Sequence, residues 1–388
     1  MNIIFFTFLS LLIYCYFGYP VLLWILSQLI EKPVRKGAYE PGVSVVLSVW
    51  NEEDVIERKL QNLLSLDYPN EKFEILIGSD GSTDRTDAII EGFRDERIQL
   101  IKSNEREGKM LTINQLVEKA KGDVIVFTDA RQEFARDAVK QLVGNFSDEK
   151  VGCVSGELVF SPREGATAQG INLYWNYEKF IRANESKVHS MLGATGAIYA
   201  IRKELFTNVP RNIVLDDVFI PFQIIQKGCR AIFDESAKAY DEAADSPREE
   251  HRRKTRTLFG NYQIFGVMPQ MFIPFKSPIA VQLFSHKFLR VAAPFLMIAL
   301  YGANFILAKE IFFLVFFILQ NIFYLTAIAG ALTRYSKYGI LRIISKICYV
   351  PYVFCLLNYS AIVGLVKFLA RKQDVLWSKA RGGVRSRE

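Results

Sequence analysis

Histidine and cysteine are scarce in this chain, with three and five in 388 residues. His189, His251 and His286 lie far apart. Cys15, Cys348 and Cys355 fall in apolar runs, while Cys153 and Cys229 stand singly. Neither a disulfide framework nor a zinc site is expected from such spacing. Glycine-rich phosphate loops are also missing. No G-x-G-x-x-G and no G-x-x-x-x-G-K-[ST] occurs, which excludes by pattern a dinucleotide-binding dehydrogenase and a P-loop ATPase. Repeats and low-complexity tracts are absent. Disorder is excluded by composition, because 50% of the residues are hydrophobic and 13% aromatic.

Charge is absent from four stretches: 1–30, 291–308, 311–333 and 347–366. Each is close to the ~20 apolar residues that cross a bilayer core. Between the first and second lies ordinary globular sequence, so the chain reads as a membrane protein with an inserted soluble domain. The first stretch has no basic leader and no small-residue cleavage site. Lys32, Arg35 and Lys36 follow it, and basic residues favour the cytosolic side, so the soluble domain is expected in the cytosol. His286, Lys287 and Arg290 are expected at the cytosolic mouth of the second span. Lys309-Glu310 then forms a turn on the far side, before a return to Arg334, Lys337, Arg342 and Lys346.

Pro351 and Asn358 interrupt the last stretch, and a hairpin there would return the tail to the cytosol. From Lys367 onward seven basic residues face only Asp374 and Glu388. Beside a membrane segment this reads as contact with lipid headgroups rather than nucleic acid. The segment 258–285 is too polar to span and too apolar for free solution. Interface helices are expected there, a short core helix being the alternative. The expected division is a transmembrane helix over 1–31 and a cytosolic domain over 40–257. Interface helices over 258–285, a transmembrane region over 286–370 and a basic tail over 371–388 follow.

Within the soluble part the period alternates between strand and helix, as an α/β sheet requires. Strands are expected at Val43–Val49, Phe73–Gly78, Ile98–Ile101 and Asp123–Thr128, with Val151–Phe160 beginning a less regular half. Helices are expected over Glu52–Leu66, Thr86–Phe93 and Lys109–Ala120. Open α/β sheets bind ligands beyond the carboxyl ends of their strands, where Asn51-Glu52, Asp80 and Asp129 all fall. Carboxylates around a diphosphate require a metal or compensating bases, the situation of nucleotide-sugar chemistry.

The ordered segments SVVLSVWNEED, IGSDGSTDRTD, EGKMLTINQ, VIVFTDA, GATGAIYAIRKELF and LDDVFIPFQIIQKGCRAIFDE resemble those of a family 2 glycosyltransferase. The likeness covers roughly residues 40–260. It is nearest to the membrane-embedded synthases of cellulose, hyaluronan and poly-N-acetylglucosamine. The fold it implies is α/β, a GT-A nucleotide-sugar fold with one transmembrane helix before it and interface and transmembrane helices after it.

By this resemblance, Asn51, Glu52 and Asp80 bind the nucleotide, Asp80 through the base, and Lys109 approaches it. Asp129 is the first residue of the Asp-x-Asp element and the expected metal ligand. Gly193 and Gly196 shape the acceptor pocket, although a tight strand would use the same residues. Asp217 is the general base beside Asp216, and a base is needed because a sugar hydroxyl is a poor nucleophile until it loses its proton. A helix start also favours carboxylates at Asp216 and Asp217.

Two departures stand out. The metal element reads Asp129-Ala130-Arg131, so Mg or Mn is implied by the family but Arg131 occupies its second carboxylate position. Glu250-His251-Arg252-Arg253-Lys254 replaces the Gln-x-x-Arg-Trp of processive synthases, with Arg253 the expected nucleotide contact. The implied partners are a UDP-sugar, a glycan or lipid-linked acceptor, membrane lipid, and export or accessory proteins. A bacterial inner membrane is the expected location. Three readings follow: a glycan-building transferase, a transferase adding one sugar to a polyprenyl-linked acceptor, and a non-catalytic scaffold or sugar-nucleotide sensor.

Overall fold

The computed structural model describes residues 1–160, 166–242, 247–333 and 339–370. Contacts divide the chain into two compact units. One contains Lys32–Ser161 and His189–Glu242, the other Met1–Glu31, Pro162–Val188 and Ala243–Gln373.

The first unit is built on one sheet of eight strands: β1 Val43–Val49, β2 Phe73–Asp80, β3 Ile98–Ser103, β4 Val124–Thr128, β5 Glu133–Phe134, β6 Val151–Phe160, β7 Tyr199–Arg202 and β8 Arg230–Asp241. Their order is β3-β2-β1-β4-β7-β6-β8-β5. β1 is central because all seven of its residues are apolar or small and buried. It pairs in parallel with β2 and β4, with Val43 opposite both Phe73 and Val124. From β4 onward the sheet becomes mixed, since β7 runs antiparallel to both β4 and β6.

Helices Ile56–Leu64, Thr86–Glu91 and Lys109–Lys119 connect the parallel strands. Ile56, Leu60 and Leu63 lie at 3–4-residue spacing and pack into the core with Val45, Leu47, Ile75 and Val126. Chain order moves from β1 out to β3 on one side and then crosses to β4 on the other. The switch between β1 and β4 opens a crevice at their carboxyl ends, where such sheets place ligands.

The second unit is helical. Among the described residues, four of its helices are long and apolar enough to cross a membrane: Asn2–Leu29, Ala280–Leu307, Ile311–Thr333 and Ile347–Leu369. The third turns Ile311, Phe312, Val315, Ile318, Leu319 and Ile322 outward, a surface suited to lipid. Polar side chains fasten the others. Tyr19 donates to Glu185 at 2.8 Å, and His286 lies between Glu185 at 2.8 Å and Glu178 at 3.3 Å. Arg290 pairs with Glu178 as well.

The structure corrects one expectation, the hairpin in the last stretch. The helix of the second candidate span begins at Ala280, so His286 and Arg290 lie within that helix. Both face carboxylates of the helix Ala166–Val188. The last helix runs unbroken over Gly339–Leu369, so the hairpin does not form. Pro351 removes one backbone hydrogen bond without ending the helix, and Asn358 satisfies itself on the Phe354 carbonyl at 2.9 Å. Contacts group the helix Ala166–Val188 with the helical unit. A single helix, Pro247–Val267, runs through position 257. Arg334, Lys337 and the tail 371–388 lie outside the described residues.

Candidate functional site

The loops after β1 and β2 are stitched together. Asn51 adopts φ +53°, a left-handed conformation that asparagine tolerates better than most residues. Its amide oxygen accepts from the Thr83 N–H at 2.7 Å, and its own N–H donates to Ser82 Oγ at 3.1 Å. The Glu52 N–H donates to Thr86 Oγ1 at 2.8 Å. Asp80 is 1% exposed, and its carboxylate accepts from the N–H groups of Glu107 at 2.7 Å and Gly108 at 3.0 Å. Gly81 permits this, since at φ +67° a Cβ would sit 2.9 Å from the Glu105 carbonyl carbon. Asp80 therefore fixes the loop that precedes Lys109. On the same loop the Arg106 guanidinium lies over the Trp50 ring at 3.5 Å, a stack that the sequence reading misses.

Beyond β4 the charged residues converge. Lys109 Nζ lies 3.2 Å from Asp129 and 3.4 Å from Asp216. Asp129 keeps 43% of its side chain exposed, whereas Asp216 keeps 7%, so Asp129 is the member of this chain that faces solvent. Arg131 is half-buried two residues on. Tyr199 stacks on Phe127 at 4.5 Å between ring centres and points its hydroxyl at Asp216 at 3.5 Å. Burial, followed by the charges of Asp216, Asp217 and Asp129, pushes this phenol well above its ordinary range and keeps it a proton donor.

Asp216 and Asp217 open the helix Asp216–Gln226, whose unpaired N–H groups favour negative charge. The two glycines come against them. Gly193 has φ +120°, and a Cβ there would meet Val218 Cγ2 at 2.9 Å. The next N–H, of Ala194, donates to the Asp217 carbonyl at 2.6 Å. A Cβ on Gly196 would lie 3.5 Å from Asp217 Oδ2. Small residues at 193–197 thus serve close approach to Asp217, while β7 begins only at Tyr199.

The structure brings Asn51, Glu52, Asp80, Lys109, Asp129, Arg131, Asp216, Asp217, Gly193 and Gly196 into one unit. Arg253 lies in the other unit, on the helix Pro247–Val267, where it bonds Glu249 at 2.6 Å. Lys59 is the residue most clearly missed. It is 1% exposed and donates to Thr128 Oγ1 at 2.8 Å and to the Gln132 carbonyl at 2.6 Å. Its spacing from Ile56 and Leu63 was the available signal, because it shares their buried face.

Among the described residues, no group of three His, Cys, Asp or Glu side chains could hold a metal ion. Asp129 is one exposed carboxylate, and Mg²⁺-like ions commonly need only one or two alongside substrate phosphates. The residues fit a metal in that limited sense, with Asp129 as its protein ligand.

Residues 44–209 match the family model of glycosyl transferase family 2. A probable glycosyltransferase, YdaM, of Bacillus subtilis (strain 168) is 27% identical over 245 residues, 60% of this chain and 58% of that protein. The poly-β-1,6-N-acetyl-D-glucosamine synthase of Staphylococcus aureus (strain MSSA476) is 35% identical over 117 residues, 30% of this chain and 28% of that one. The chain thus spans less than two thirds of these relatives. The mannosyltransferase PcManGT from Pyrobaculum calidifontis, solved in complex with GDP-Man and Mn²⁺, superposes with a TM-score of 0.71 at 25% identity. The match covers 95% of this chain and all of that one. Residues 44–209 thus resemble a family 2 glycosyl transferase domain, and the chain shares a GT-A-like fold with that mannosyltransferase.

Proposed function

We propose that this protein transfers a sugar from a UDP-sugar to a growing glycan with inversion at the anomeric carbon, Asp217 acting as general base. The observation that carries this reading is the ion-paired chain Asp129–Lys109–Asp216, with Asp217 next to it at a helix start and its carbonyl bonded to the glycine turn. Asp217 takes the proton of the acceptor hydroxyl as its oxygen bonds to the anomeric carbon, and the bond to the diphosphate breaks with its electron pair leaving on UDP. Direct displacement of this kind inverts the carbon. Lys109 and Arg131 hold positive charge where the leaving diphosphate gathers negative charge. A bound divalent ion on Asp129 would supply further neutralisation of the diphosphate.

Asn51, Glu52 and Asp80 form and brace the nucleotide end, and Gly193 and Gly196 leave room for the acceptor sugar. Arg253 is assigned to nucleotide or acceptor contact. The catalytic domain is placed in the cytosol of a bacterial inner membrane, because Lys32, Arg35 and Lys36 follow the first span and nucleotide sugars are cytosolic. Membrane lipid, a glycan acceptor and export or accessory proteins are the partners.

A second reading, transfer of one sugar to a polyprenyl-linked acceptor, is favoured by the missing Gln-x-x-Arg-Trp element. Purified full chain in detergent, assayed for nucleotide release over a panel of UDP- and GDP-sugars, tests the donor. Release from a UDP-sugar is expected, and turnover only of GDP-sugars would overturn that choice. With membrane extract as acceptor, a ladder of products is expected for glycan extension. A single addition would move the account to the second reading.

A further inference from the structure

The turn that carries Asp129 and Arg131 is clipped from below. Lys59 Nζ donates to Thr128 Oγ1 at 2.8 Å on one side of Asp129-Ala130-Arg131 and to the Gln132 carbonyl at 2.6 Å on the other. The face of the Phe134 ring lies 4.3 Å from the same nitrogen. The Thr128 hydroxyl has one proton, and its 3.0 Å contact with the Ala197 carbonyl can take it while Lys59 fills a lone pair. Lys59 therefore ties the helix Ile56–Leu64 to both sides of the Asp129 turn, and Thr128 carries the link on to the end of the 193–197 turn.

Burying a lysine at 1% exposure is costly, because water is removed from a charge or a proton is given up. An unbranched apolar residue such as methionine would fill the same space without that cost. Stability alone therefore gives no reason for a lysine here, whereas the position of its two acceptors does. Ammonium and neutral amine both carry enough protons for two donated bonds, so the clip does not depend on which form is present.

We infer that Lys59 is a positioning residue for transfer: it holds the Asp129–Arg131 turn in the geometry that meets the leaving diphosphate. This rests on the donor-site reading above. Interactions made chiefly as charge develops affect turnover more than ground-state binding.

The test uses the full chain in detergent, with UDP and GDP in the presence of Mn²⁺ as binding probes. Nucleotide release is followed from whichever sugar nucleotide the wild type turns over. Lys59→Met is expected to fold, with a melting temperature equal to or above that of the wild type. Its Kd for the nucleoside diphosphate should stay within about threefold while kcat falls about tenfold or more. Should Lys59→Met fail to fold, Thr128→Val and Thr128→Ser carry the test. The valine variant loses the acceptor and should fall about tenfold in kcat, and the serine variant keeps it and should stay near wild type. Wild type that binds neither UDP nor GDP would overturn the donor reading and this inference with it. Wild type that binds, with a folded Lys59→Met whose kcat lies within threefold of it, would overturn the inference alone. Thr128→Val and Thr128→Ser both near wild type would do the same.

Discussion

Arg131 shows what a single substitution in a metal element does to charge. In the proposed reading a guanidinium stands where the family's second carboxylate would bind a cation, and it supplies part of the compensation for the diphosphate. Arg131→Asp is expected to increase the ratio of activity with Mn²⁺ to activity with EDTA by about tenfold, roughly the worth of one charge-assisted hydrogen bond. An unchanged ratio with unchanged activity would remove Arg131 from the diphosphate.

Lys59 offers a prediction in pH. Burial pushes its amine down to about 7, although the charges of Asp129 and Glu133 oppose the shift. An unfolded lysine titrates near 10.4, at about the model-peptide value. Between these values the unfolded chain binds more protons than the folded one, so this contribution to stability rises with pH from about 7 to about 10. It is flat outside that window. Thermal midpoints of wild type and Lys59→Met at pH 7 and pH 9 should show a gain in the wild type that the variant lacks. Equal shifts in both would show that Lys59 is not titrating there. Neither this residue nor Tyr199 was legible as functional, because each acquires its role from residues about 17 to 73 positions away.

Elements were legible where local pattern and burial agree. β1 occupies the expected Val43–Val49, and β2 extends two residues beyond the expected end to include Asp80. The helix Ile56–Leu64 starts four residues later than expected, because Glu52 to Val55 are spent joining the β1 and β2 loops. The helix Ala166–Val188 was not legible. It mixes charged and aromatic residues, and its Glu178 and Glu185 find their partners about a hundred residues on.

The glycine turn is another element whose meaning needs the structure. Gly193→Ala meets both φ +120° and a contact at 2.9 Å, so it should cost about 1–3 kcal/mol and also lower kcat by displacing Asp217. Gly228→Ala, at φ +87° with no atom within 4 Å of its Cβ, should lower stability with kcat unchanged. Loss of kcat in both variants alike would detach the 193–197 turn from the chemistry.

At the scale of the molecule, a mixed α/β unit and a helical unit with four candidate spans were legible from charge-free runs and alternating periods. The ends of these helices were less so, since paired polar groups such as His286 and Arg290 lie inside a helix that composition alone would cut short. Glu149 is exposed on the sheet unit and suits a test of sidedness. With Cys229 replaced, Glu149→Cys should resist an impermeant thiol reagent in sealed cells and react after lysis. Efficient labelling in sealed cells would place the domain outside.

Asp217 as general base is the claim on which the account turns. The direct measurement compares sugar-nucleotide turnover and donor binding in wild type, Asp217→Asn and Asp216→Asn, all as full chain in detergent. Asparagine keeps shape and hydrogen bonding but takes no proton. Asp217→Asn should therefore bind the donor normally while turnover falls ~10²–10⁴-fold. Asp216→Asn should be milder, because Asp216 acts through its 3.4 Å ion pair with Lys109. Near-full turnover in Asp217→Asn, or inactivity confined to Asp216→Asn, would contradict the assignment.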